Sequence, residues 1–177
     1  MSVQSVLIQA IGFLGTILFF LSYQCRRNQN LFRVQFVSYL CYTAHLLLLG
    51  AMTGGISYCL NTVRSFCLGS KYVVLKGKGM CSFICILQLL TLGLTWDGWW
   101  SVLPVCANIA ATIGGYTCNG QTIRLVGMFV NSPLWIIYDL VVGSWAGIVD
   151  EVISEVSMLL SIFRYGWKNL DKVQRES

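Results

Sequence analysis

The sequence predicts an all-α, polytopic membrane protein of seven transmembrane helices, and three observations predict it. Of its 177 residues, 56% are hydrophobic and 11% charged, and mean hydropathy is +0.69. The apolar residues are gathered into runs of about 15 to 20, the length that crosses a bilayer core. Lysine and arginine cluster at alternate turns. A water-soluble domain of this size leaves too much surface in contact with solvent to hide so many apolar side chains, so most of that solvent is lipid.

Helix one is expected over Val6–Tyr23 and helix two over Leu31–Leu49, with the polar link from Arg26 to Asn30 between them. The segment Gly50–Gly54 reads as a tight turn, because glycine accepts positive φ, and helix three follows to Gly69. A basic connector carries Lys71, Lys76 and Lys78, and helix four is expected over Met80–Leu94. Trp96, Asp97, Trp99 and Trp100 form an interfacial loop of the kind aromatic residues favour. Helix five spans Val102–Tyr116 and helix six Ile123–Val142; Gly143–Gly147 makes a second tight turn into helix seven, which ends near Tyr165.

Cytoplasmic loops retain positive charge, so the basic residues orient the chain. Arg26, Arg27 and Arg33 mark the first turn, Lys71, Lys76 and Lys78 the third, Arg124 the fifth, and Arg164, Lys168, Lys172 and Arg175 the C-terminal end. The second, fourth and sixth turns carry neither lysine nor arginine. An odd helix count with the N-terminus outside and the C-terminus in the cytoplasm puts every basic end on one side. The formal charge of +5 is accounted for by this asymmetry and points to no nucleic-acid partner. The start, Met1 to Gln4, lacks a basic signal-peptide region, so the first apolar run is expected to stay as a helix. The eight cysteines fall mostly inside apolar runs and read as small hydrophobes. Cys81 and Cys85 are one helical turn apart with no His or carboxylate to complete a metal shell, so neither metal nor cofactor is expected.

An ungapped shift of 93 positions aligns Tyr23 with Tyr116, Cys25 with Cys118, Phe36 with Phe129, Val37 with Val130, Leu47 with Leu140, Gly50 with Gly143 and Gly54 with Gly147. Helices one to three then match helices five to seven, and helix four reverses the direction so that the two triplets run parallel. The expected divisions are a first three-helix bundle at 1–70, the linker with helix four at 71–98, a second bundle at 99–166 and a tail at 167–177.

His45–Gly50, Asn61–Arg64, Trp135–Asp139 with Gly143–Gly147, and the late Ile162–Tyr165 together resemble the YgjV-type bacterial inner-membrane proteins over nearly the whole chain. That resemblance implies a location in the bacterial inner membrane. More distantly the layout is similar to the SWEET, PQ-loop and PnuC carriers, which implies a 3+1+3 arrangement. The chain departs from the PQ-loop pattern in having no Pro-Gln dipeptide, and its prolines are Pro104 and Pro133.

Polar side chains at membrane depth need a partner, a cavity or the interface. Counted from the external turns at about 1.5 Å per residue, His45 and Asn61 lie roughly 8 to 10 Å deep, and Arg64 and Glu155 about 12 to 15 Å deep. Arg64 then either pairs with Glu155 across the bundles or reaches toward headgroups. Asp150, Ser154, Ser157 and Ser161 form one stripe on helix seven, flanked by Glu151 and Glu155, and Asp139 is expected at the interface. The shift of 93 matches Tyr42 with Trp135, His45 with Tyr138, and Asn61 with Ser154. The resemblance to SWEET-like carriers implies Tyr42, Trp135 and Asn61 as solute contacts. His45, Tyr138 and Ser154 complete the expected substrate set, and Arg64, Asp150, Glu151 and Glu155 the coupling or ion-pair candidates. Helix packing is the alternative role for the aromatic residues, and a bond to a neighbouring helix for His45.

These features point to a carrier of a small polar metabolite (sugar-, nucleoside- or vitamin-precursor-like), with lipid around it and a second copy of the chain as a candidate partner. A receptor or assembly subunit on the same fold is the alternative. No catalytic residues are assigned, because the sequence has no activated nucleophile, paired acid and base, or metal cluster.

Overall fold

A computed structural model of the chain describes residues 3–25 and 27–170. Arg26, Lys172 and Arg175, used above to orient the chain, lie outside the described residues, as does most of the tail. The described residues form seven long helices: α1 Val3–Tyr23, α2 Asn28–Leu48, α3 Met52–Gly69, α4 Lys78–Leu94, α5 Val102–Tyr116, α6 Gly120–Val142 and α7 Trp145–Tyr165. Of these, α1, α2 and α6 are long and apolar enough to cross a membrane by length and composition, and α4 is apolar but shorter. The helix count agrees with the sequence, but only those three meet the spanning criterion. The reason lies in α3 and α7, whose polar residues dilute their hydropathy, and in α5, which is only 15 residues long.

Burial differs from a water-soluble protein's: many polar groups share the interior with an apolar core that includes Leu31, Leu46, Ile84 and Trp135, and large apolar side chains cover the outside. Leu14, Ile17, Phe66, Leu89, Val152 and Val156 are exposed, while Gln35, His45, Asn61, Arg64, Asn108, Asp150 and Glu151 are buried. Apolar atoms outside and polar groups within suit a chain solvated by hydrocarbon, where each polar group seeks a partner inside the protein.

Six helices pack in a closed ring: α1 on α2, α2 on α3, α3 on α5, α5 on α6, α6 on α7, and α7 back on α1. Helix α4 packs on α3 and α5, burying Ile84, Gln88 and Thr91. Hydrogen bonds tie the helix ends at one end of the ring. Gln29 Nε2 donates to the Gly69 carbonyl, Tyr116 to Leu75, Gln121 Nε2 to Trp167 and Tyr165 to Gln24. Every described lysine and arginine except Arg64 belongs to helix termini or loops of this basic end. The opposite end holds the two glycine turns.

Those turns share several backbone bonds at the offset of 93. Ala51 N–H donates to Leu46 O at 3.0 Å, and Ser144 N–H to Asp139 O at 2.9 Å. Gly55 N–H bonds Ala51 O as Ile148 N–H bonds Ser144 O. Gly50 and Gly143 hold φ of 82° and 72°, the left-handed geometry that ends a helix and that a Cβ disfavours. At the basic end, Cys25 N–H bonds Ser22 O and Cys118 N–H bonds Gly115 O, both at 3.0 Å.

Helix α6 departs from expectation. It begins three residues before Ile123 and contains a wider turn, Gly127–Asn131, with bonds spanning five residues. Pro133, which has no N–H to give, sits at the start of the segment that follows, so the extra residue is accommodated just ahead of it. Pro104 lies in the first turn of α5, where a missing donor costs nothing.

Candidate functional site

From the glycine-turn end toward the basic end, the ring interior is layered. In the first layer, His45 of α2 bridges α1 and α7. Its Nδ1 lies 2.9 Å from the Ile8 carbonyl, and its Nε2 lies 2.9 Å from Ser144 Oγ, the N-cap of α7. A carbonyl only accepts, so Nδ1 carries a proton and donates it to Ile8, while Nε2 shares a hydrogen bond with the Ser144 hydroxyl. Ser144 Oγ in turn accepts from Gly147 N–H at 3.1 Å. On the other side, Tyr138 of α6 accepts from Gly54 N–H of α3 at 2.9 Å. The two matched residues thus tie reciprocally to the starts of the matched helices α7 and α3. Both approaches need glycine: a Cβ on Gly54 would stand 2.6 Å from the Tyr138 ring, and one on Gly12 would stand 3.0 Å from His45 Nδ1; a Cβ on Gly147 would in addition run into the Asp139 carboxylate.

Next comes an aromatic layer. Tyr42 and Tyr58 stack with ring centroids 5.2 Å apart, Tyr58 and Trp135 lie 4.5 Å apart, and Trp135 meets Tyr138 edge-on at 5.6 Å. The Tyr42 hydroxyl bonds Thr16 of α1, and Asp150 of α7 lies against both. Ser132 of α6 lies against Glu151 and Glu155.

Below it, Asn61 Nδ2 donates to Asn108 Oδ1 at 2.7 Å, and Trp135 Nε1 approaches the same oxygen at 3.4 Å. Gln88 of α4 donates to the Ser57 carbonyl at 3.2 Å. Closer to the basic end, an Arg64 nitrogen donates to the Tyr39 hydroxyl at 3.0 Å and the guanidinium lies 5.6 Å from that ring's centroid. Several buried polar atoms in these two layers have no hydrogen-bond partner: Asn61 Oδ1, Asn108 Nδ2, Gln88 Oε1 and Ser154 Oγ above, and Arg64 Nε and Nη1 below.

The structure therefore gathers the expected Tyr42, Asn61 and Trp135 into one cluster, with Tyr138 adjoining it, Ser154 buried on α7, and His45 one layer out. Three expectations are corrected. Arg64 takes neither of its two expected roles: it is buried and bonds Tyr39 instead of pairing with Glu155 or reaching toward headgroups, and Glu155 is half-buried and lies against Ser132. Asp139 keeps its expected depth, one turn from the end of α6, but is enclosed by protein rather than open to headgroups: it is 2% exposed, seated over Gly147 beside Ser144. The lower part of the α7 stripe is spent on neighbouring helices: Ser157 donates to Phe20 O of α1, and Ser161 accepts from Arg124 Nε of α6 at 2.7 Å. Sequence reading missed Asn108 and Tyr58, the hubs of the cluster, because Asn108 aligns with Gly15 and Tyr58 with Glu151 in the shifted register. It also missed that Arg124 is buried.

A pocket of about 520 Å³ opens at the glycine-turn end, with Tyr138, Thr53, Asp97 and Trp100 among its walls. Another of about 460 Å³ opens at the basic end beside Asn28, Gln29, Lys71 and Lys76. The aromatic and amide layers are packed between them. Among the described residues, no group of three or more His, Cys, Asp or Glu side chains is placed to hold a metal ion.

Comparison with known proteins returned one family model, Imp-YgjV, described as a bacterial inner membrane protein, matching residues 6–169. No match was found among curated proteins or among solved structures. With the family model spanning nearly all of the chain, a polar-cored, apolar-surfaced helical ring has its setting: the chain belongs to the Imp-YgjV family of bacterial inner membrane proteins.

Proposed function

We propose that this inner membrane protein is a carrier for a small polar metabolite, not an enzyme, and that the solute passes through the ring interior between two parallel three-helix units, α1–α3 and α5–α7, joined by α4. The observation that carries this reading is the reciprocal pair of ties at the glycine-turn end, His45 to Ser144 and Tyr138 to Gly54. Residues matched at the offset of 93 each fasten one unit to the start of the other unit's third helix. A few hydrogen bonds between two units are the kind of contact that rocking of one unit against the other breaks and remakes. Behind the ties stand aromatic faces with a few hydrogen-bonding groups, the lining that small polar ligands use. Pockets at both ends of a packed core fit an occluded state. The basic end faces the cytoplasm in this reading, because positive charge is retained there, and the N-terminus lies outside.

Uptake into proteoliposomes tests it: labelled sugars, nucleosides and amino acids are offered to vesicles carrying the protein or its Asn61→Ala variant. The reading predicts saturable flux of at least one solute, strongly reduced in the variant. Absence of flux across the panel, or flux indifferent to Asn61→Ala, contradicts it.

A further inference from the structure

Arg64 is a cation buried at 3% exposure, with no carboxylate on it among the described residues. Its one hydrogen bond goes to the neutral phenol of Tyr39, while Nε and Nη1 have no partner. The other buried guanidinium, Arg124, differs: Nε donates to Ser161 and Nη1 to the Gly120 carbonyl. A buried charge lacking a counter-ion is among the costlier arrangements a fold can hold, more so in a membrane, and a ring face offsets only part of that cost.

Other unpartnered donors stand at the same level of the ring as Arg64. Asn61, Arg64 and Ser65 stand at i, i+3 and i+4 on one face of α3, and Thr112 lies one turn beyond Asn108 on α5, which runs in the same direction. Because Asn61 pairs with Asn108, the next turn of each helix brings Arg64 and Ser65 to the level of Thr112. The hydroxyls of Ser65 and Thr112 are buried without partners, and so is Asn108 Nδ2. The amide orientation of Asn108 is fixed, since Trp135 Nε1 can only donate and approaches Oδ1. The guanidinium is close enough to act electrostatically on Tyr23 of α1, Cys85 of α4 and Tyr116 of α5, and Asp150 and Glu151 act at that range on its partner Tyr39 without bonding Arg64. The acidic residues Asp150 and Glu151 align with Ser57 and Tyr58, about two turns nearer the glycine-turn end.

Unpartnered donors around an uncompensated cation are a receptor for negative charge. We propose that the solute is an anion, a carboxylate or phosphate monoester, held by Arg64 with Asn108, Ser65 and Thr112. This deepens the carrier reading and rests on it for the word solute, though the site itself does not. A neutral sugar would leave the guanidinium without its counter-charge.

The test uses the full chain in non-ionic detergent, at fixed ionic strength set with chloride. Thermal unfolding is followed with matched pairs: glucose and glucose 6-phosphate, glycerol and glycerol 3-phosphate, benzamide and benzoate. The anionic member of at least one pair is expected to raise the midpoint by several degrees at millimolar concentration, with no shift from its neutral partner. Arg64→Gln abolishes the shift, Arg64→Lys keeps part of it, and Thr112→Val weakens it. Should Arg64→Gln fail to fold, Arg64→Lys and Thr112→Val decide. Equal stabilisation by neutral members, an anion shift that survives Arg64→Gln, or no shift from any anion overturns the proposal. A parallel arm in nanodiscs with and without phosphatidylglycerol separates sources: stabilisation by the lipid alone, with no free anion effective, shows a headgroup site and overturns the solute assignment. Flux of a neutral solute that is indifferent to Arg64→Gln leaves the carrier reading standing and this one fallen. Anion stabilisation without flux does the reverse.

Discussion

His45 Nε2 and Ser144 Oγ lie 2.9 Å apart, joining the middle of one helix triplet to the N-cap of α7 in the other. Ser144→Ala removes both this bond and the cap on Gly147 N–H. Caps and buried hydrogen bonds each contribute on the order of 1 kcal/mol, so a loss of about 2 kcal/mol is expected. Denaturant or thermal unfolding in detergent measures it. A loss under 0.5 kcal/mol, on the same order-of-magnitude scale, would show that the tie carries little.

The two kinds of glycine at this end should behave differently when replaced by alanine. Gly50 has nothing within 4 Å of a built Cβ, only its positive φ, so Gly50→Ala is expected to cost about 1 kcal/mol of backbone strain. Gly54→Ala drives a methyl into the Tyr138 ring and displaces the phenol from the Gly54 N–H. Overpacking plus the lost bond predicts roughly 2 to 4 kcal/mol, and a sharply lower yield of folded protein. Fluorescence-detected size exclusion of the two variants side by side reads the contrast. Equal behaviour would contradict the close approach.

How far these contacts were legible in the sequence depends on their range. The helices followed from apolar run length, and the glycine turns from local backbone chemistry, which is why Gly50 and Gly143 sit in the expected turns; the turns are shorter than expected, and Gly54 and Gly147 fall inside the first turns of α3 and α7. The shifted register also found His45 and Tyr138, because a matched residue makes a matched contact. It did not find Asn108, whose partner Asn61 lies across the ring and whose shifted equivalent is a glycine. Nor did it place Arg64, since depth along a helix fixes distance from the interface but not the direction around the axis. The wider turn in α6 was hidden for a different reason: Pro133 signals a lost bond, but the sequence does not say which turn ahead of it absorbs the extra residue, and the turn that does so packs against α5 and α7.

Asn61 and Asn108 form a polar pair whose deletion is expected to be non-additive. Asn108→Leu leaves Asn61 Nδ2 and Trp135 Nε1 without their acceptor, an expected cost of about 2 to 4 kcal/mol. The double change Asn61→Leu with Asn108→Leu removes both amides and is expected to cost less than the sum of the singles. A double-mutant cycle gives the coupling, about 1 to 2 kcal/mol. Strict additivity would mean that the two amides do not meet.

Orientation is open to thiol chemistry. Cys118 is exposed beside the pocket at the basic end. A membrane-impermeant maleimide is expected to label it in inverted inner-membrane vesicles and not in intact spheroplasts, with the other cysteines replaced. Labelling from the outside instead would reverse the assignment of the basic end to the cytoplasm.

The account's central claim is that the packed polar core opens alternately to each side. A cysteine at Ser154, buried between the two end pockets, in a background without the eight native cysteines, tests it without knowledge of the solute. A small water-soluble thiosulfonate is applied to sealed vesicles of each orientation and the labelled fraction is followed over time. The account predicts reaction from both sides, faster from the glycine-turn side when Ser144→Ala loosens that end. A cysteine that reacts from neither side while the protein stays folded would contradict it.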